Sequence, residues 1–101
     1  MDIIKSLENG VYNATLSGKF TFFDHAAFRE ILDEIGNENA KQIVLDMASV
    51  TFIDSAGLGQ LLLAHDAATK FKKPLIIKGA NGQVKKMFDV AHFETMFTLQ
   101  N

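Results

Sequence analysis

The sequence predicts an α/β fold: a mixed β-sheet with helices packed mainly on one face, in the order ββαβαβαβ. Three observations carry that expectation. The chain opens on two β-prone runs joined by Asn9-Gly10, short apolar runs then alternate with stretches of helical period, and right-handed crossovers place such helices on a common side of the sheet. With 101 residues, 48% of them apolar, there is room for one domain with a hydrophobic core, spanning 1–101.

The elements follow in order. Ile3 to Leu7 and Val11 to Ser17 flank Glu8-Asn9-Gly10, the short-range signature of a hairpin. Tyr12, Ala14 and Leu16 alternate with Asn13, Thr15 and Ser17, as in a strand with one face buried and one wet. Thr21-Phe22-Phe23-Asp24 has capping-box spacing and opens a helix with Phe28, Ile31, Leu32 and Ile35 on one stripe. Gly36 is placed to end that helix in a left-handed conformation. Ile43-Val44-Leu45, inside Lys41 to Met47, predicts a central strand buried on both faces. From Ser55 to about Phe71 a second helix carries Leu58, Leu61, Leu62, His65 and Ala68 on its apolar stripe. Pro74 introduces another buried strand, Leu75-Ile76-Ile77. Asn81 begins a third helix with Val84, Met87, Phe88 and Ala91 inward, and Thr95 to Leu99 forms the last strand.

Composition removes several function classes. The chain has no cysteine, which excludes disulfides and thiolate chemistry and fits a reducing, cytoplasmic setting. The Met1-Asp2-Ile3-Ile4-Lys5 start is not a secretory signal, and no apolar run approaches the ~20 residues of a membrane helix. A net charge of -2 gives no footprint for nucleic acid, and Lys70, Lys72 and Lys73 read as a solvated helix end. His25, His65 and His92 fall in three different helical regions without metal-ligand spacing. His65, on an apolar stripe, reads as a core or edge histidine with a hydrogen-bond partner. Ser55 lies in Asp-Ser-Ala-Gly, unlike the Gly-x-Ser-x-Gly turn of hydrolases. Gly57-Leu58-Gly59 lacks the third glycine of a dinucleotide fingerprint, which leaves nucleotide binding a weak signal and open; no cofactor is expected.

One segment stands out: Phe52-Ile53-Asp54-Ser55-Ala56-Gly57-Leu58-Gly59, where a strand hands over to a helix and backbone N–H groups are free to face an anion. Ser55 or Asp54 is placed to cap that helix, and a capping serine is still open to modification. Two glycines in the first turns each cost up to about 1 kcal/mol against alanine, which suggests close approach by a neighbouring strand or a partner protein.

Ile43-Val44-Leu45-Asp46 followed by Phe52-Ile53-Asp54-Ser55-Ala56-Gly57-Leu58-Gly59 resembles the signature of STAS domains of the anti-sigma factor antagonist type. The likeness extends to Gly18-Lys19-Phe20 before the first helix, to Val84-Lys85-Lys86-Met87-Phe88-Asp89, and to Phe93. It implies a STAS fold and a non-enzymatic partner-switching protein. In its unphosphorylated form such a protein binds a GHKL-type serine kinase, often an anti-sigma factor; phosphorylation of the serine at Ser55 releases that partner, and a PP2C-type phosphatase resets the switch. Asp54, Ala56, Gly57 and Leu58, with Thr21, Phe22 and Phe23, are the implied partner-binding residues. Relatives commonly have an acidic residue where this chain has Thr21. A phosphate at Ser55 would add about -1.5 to -2 charge beside Asp54, tolerable at a helix N-terminus and costly in an interface. No nucleic acid and no membrane insertion are expected, and a monomer is expected for the free protein. The alternative is a constitutive STAS-domain subunit of a membrane transport or lipid-trafficking complex, with Ser55 only a helix cap.

Overall fold

The computed structural model describes residues 1–100. Strands β1 (Asp2–Glu8) and β2 (Val11–Phe20) form the opening hairpin. A 3-10 turn (Phe22–Asp24) leads into α1 (His25–Ile35), followed by β3 (Gln42–Ile53), α2 (Ser55–Lys70), β4 (Leu75–Lys78), α3 (Gly82–Val90), a second 3-10 turn (Phe93–Thr95) and β5 (Thr98–Gln100). The sheet has the order β1-β2-β3-β4-β5; only β1 runs antiparallel to its neighbour. At the hairpin Asn9 and Gly10 both have positive φ, 53° and 80°, the mirror-image turn that matches strand twist.

Each crossover advances one strand in the same direction, so right-handed connections put all three helices on one face. That face holds Tyr12, Ala14 and Leu16 of β2, Ile43, Leu45 and Met47 of β3, and Leu75 and Ile77 of β4. They form one cluster with Phe28, Ile31 and Ile35 of α1, Leu61, Ala64 and Ala68 of α2, and Val84 and Phe88 of α3.

Several expectations are corrected. The central strands are not buried on both faces: Val44, Asp46 and Ile76 alternate with the core positions and are only half-buried, because no helix among the described residues covers the second face. β3 continues past Met47 to Ile53, kept in register with β2 by irregularities between Thr15 and Ser17 and between Gly18 and Lys19. Gly36 has φ -82°, so handedness does not explain it; a Cβ there would stand 3.2 Å from the Phe71 ring.

The buried stripe of α2 is Gly57, Leu61, Ala64 and Ala68, rotated from the expected one. Small residues bring the helix close to its neighbours, while Leu62 is left exposed and His65 half-buried against the Phe97 ring at 5.2 Å. The final strand begins at Thr98 and not at Thr95, because Phe93 and Phe97 turn inward, Phe93 stacking on Phe88 and Phe97 packing on Phe93, each at a centroid distance of 4.9 Å.

Leu45, wholly buried in the middle of the central strand, is the most direct test of the covered face. Leu45→Ala is expected to lower unfolding stability by about 2–5 kcal/mol in urea denaturation, and Val44→Ala by clearly less.

Candidate functional site

The site forms where β2 and β3 end together. Phe20 and Ile53 are register partners, and the Asp54 N–H donates to the Phe20 carbonyl at 3.2 Å. The chain leaves β3 at Asp54, whose extended backbone caps α2.

Its carboxylate bridges two helical starts. Oδ1 accepts the Gly57 N–H at 2.8 Å, and Oδ2 accepts the Phe22 N–H at 3.1 Å from the turn before α1. Asp54, and not Ser55, is therefore the cap of α2. Ser55 is the first helical residue and is exposed. The Ser55 and Ala56 N–H groups lie in the first turn, where a helix offers no carbonyl to receive them.

The two glycines have different explanations. Gly57 is buried, and a Cβ there would lie 2.6 Å from the Phe20 carbonyl oxygen and 2.7 Å from Ile53 Cγ1. A neighbouring strand makes the close approach, so Gly57 seats the helix and is not itself open to a partner. Gly59 has nothing within 4 Å of its Cβ position, so no intramolecular contact explains it.

On the other side of Asp54 the capping box is formed as expected. The Thr21 N–H donates to Asp24 Oδ2 at 2.8 Å, and Thr21 Oγ1 accepts the Phe23 N–H at 3.4 Å. Asp24 also receives the Met1 amino group at 3.1 Å. Burial alone would push the Asp24 carboxyl up; the Thr21 N–H and the amino group outweigh it and hold the carboxyl below its usual range.

Thr21 is half-buried by this role. Phe22 and Phe23 project outward, 61% and 89% exposed, as an edge-to-face pair with centroids 5.8 Å apart. The fold thus gathers Thr21, Phe22 and Phe23 to Asp54 and Ser55, with Ala56 and Leu58 half-buried beside them.

The reading of the sequence missed Gln83 of α3, whose carboxamide bonds both backbone groups of Ile53. A glutamine in a first helical turn carries no local signal for that contact.

Residues 11–100 match the family described as "Mlab, STAS domain". The chain belongs to the STAS-domain family. Among its relatives, a STAS-domain containing protein of Pseudomonas aeruginosa is 27% identical over 83% of this chain and 82% of that protein. The fold is shared with the anti-sigma factor antagonist SpoIIAA in its unphosphorylated form, with a TM-score of 0.79 at 16% identity over 99% of this chain and 88% of that one. Bacillus SpoIIAA in the phosphorylated form gives a TM-score of 0.77 at 14% identity, over 99% and 92%. A sulfate transporter family protein from Wolinella succinogenes gives 0.78 at 21% identity, over 95% and 80%.

Three outcomes are expected from this STAS geometry. Gly57→Ala should lower stability by about 1–3 kcal/mol through overpacking, whereas Gly59→Ala should raise it by up to about 1 kcal/mol, both read by urea denaturation. Because the Asp24 carboxyl is held low when folded, its stabilisation is present above its unfolded pKa and is lost as pH falls through the folded value. Asp24→Asn should flatten the decline of thermal stability as pH falls below the ordinary aspartate range.

Proposed function

We propose that this STAS domain, spanning residues 1–101, is a non-enzymatic partner-switching regulator of the anti-sigma factor antagonist kind. Unphosphorylated, it binds a GHKL-type serine kinase or anti-sigma factor; phosphorylated on Ser55, it releases that partner; a PP2C-type phosphatase restores the first state. The observation that carries the reading is the placement of Ser55: exposed, first in α2, and linked through Asp54 to the turn that presents Phe22 and Phe23. An exposed aromatic pair of this kind suits an interface anchor, with Ala56 and Leu58 at its edge.

The chemistry supports a switch without refolding. A phosphate on Ser55 would stand at the N-terminus of a 16-residue helix, where the dipole and the first N–H groups favour negative charge. In a complex, the same charge would be desolvated beside the Asp54 carboxylate, and a loss of ~3 kcal/mol weakens binding roughly a hundredfold. The protein would act in the cytoplasm and be a monomer when not bound to its partner.

A second reading, a constitutive subunit of a membrane transport or lipid-trafficking assembly, draws on the likeness to the Wolinella transporter-family protein. Intact-mass spectrometry of protein from its native cells separates the two. One phosphate on the wild type, mapped to Ser55 and missing from Ser55→Ala, supports the switch, and Ser55→Ala should then stay bound to the kinase while Ser55→Asp binds weakly. No phosphate under any growth condition, with stable co-purification of a transporter ATPase, would favour the subunit.

A further inference from the structure

β3 is 12 residues long, but β4 covers only Ile43 to Asp46 on one of its edges. The other edge stays paired with β2 as far as Ile53. Past Asp46, one row of β3 backbone groups therefore has no strand to bond among the described residues, although such groups require partners wherever they are buried, as at Ile53.

The start of α3 fills that place. The Asn81 amide nitrogen donates to the Ala48 carbonyl at 3.1 Å and to the Gly79 carbonyl at 2.8 Å. Two residues on, Gln83 Oε1 accepts the Ile53 N–H at 2.9 Å while its Nε2 donates to the Ile53 carbonyl at 2.9 Å. A carboxamide carries one acceptor and a donor side by side, so it can complete both bonds that a neighbouring strand would make to one residue.

Ile53 is the last residue before Asp54, and its side chain lies 2.7 Å from the Cβ position at Gly57. Its backbone sets where the Asp54 carboxylate meets the Gly57 and Phe22 N–H groups, and hence where Ser55 stands.

We infer that Gln83 is a positioning residue for Ser55: it stands in for the missing strand at the end of β3 and holds the Asp54–Ser55 segment in the geometry in which Ser55 is modified. This inference rests on the reading of Ser55 as the phosphorylated residue. α3, which carries none of the implied partner-binding residues, thereby becomes part of the site.

The test uses Gln83→Met, which keeps length and bulk without the hydrogen bonds, and Gln83→Ala. Amide hydrogen exchange, followed by NMR, should be roughly tenfold faster at Gly57 and Phe22, neither of which bonds Gln83, as expected for losing two net hydrogen bonds. The amides of Leu45 and Ile77 should be unaffected. Ser55 phosphate, measured by intact mass in native cells, should fall severalfold in both variants. Unchanged exchange at Gly57 and Phe22 overturns the inference, as does equal acceleration at Leu45 and Ile77, which would make Gln83 a general stabiliser. Faster local exchange with undiminished Ser55 phosphate also overturns it. If wild-type protein carries no phosphate while the variants still loosen Gly57 and Phe22, the switch reading fails and the positioning of the segment by Gln83 stands.

Discussion

The first turn of α2 sits directly on the carbonyl of Phe20, where β2 and β3 end in register, and the geometry of the candidate site depends on that contact. There is space for a hydrogen atom and none for a methyl group. With Gly57 in place, the helix starts close enough to β2 for one carboxylate, Asp54, to reach its own helix and the turn before α1 together. A helix standing further off would separate Ser55 from Phe22 and Phe23.

The division of work within the motif is also a division by burial. Gly57 is buried and structural, Asp54 is half-buried with both carboxylate oxygens engaged, and Ser55 is exposed. Modification of an exposed residue beside a satisfied cap can change the surface without breaking the bonds beneath it. That is the arrangement a charge-based switch needs, because the domain must persist in both states while a partner distinguishes them.

Much of the fold was legible because its signals are local. Asn9-Gly10 fixes a turn, Thr21 and Asp24 cap one another three residues apart, and Phe28, Ile31 and Ile35 share a face by helical period. The errors fall where packing partners come from afar. The inward stripe of α2 follows small residues that permit close approach, against the hydrophobicity of Leu62, and the last strand starts late because Phe93 stacks onto Phe88 and Phe97 packs onto Phe93. Of the site, the motif itself could be read from the sequence; the exposure of Phe22 and Phe23 and the reach of Gln83 across 30 positions could not.

The sequence by itself determined the order of elements, the hairpin and the serine at a strand-to-helix junction, since each rests on residues within about one turn of each other. Tertiary structure decided what the second oxygen of Asp54 binds, which glycine is required by packing, and what completes the unpaired edge of β3. Those outcomes depend on distances between segments far apart in the chain, and such distances are set only when the helices close over one face of the sheet.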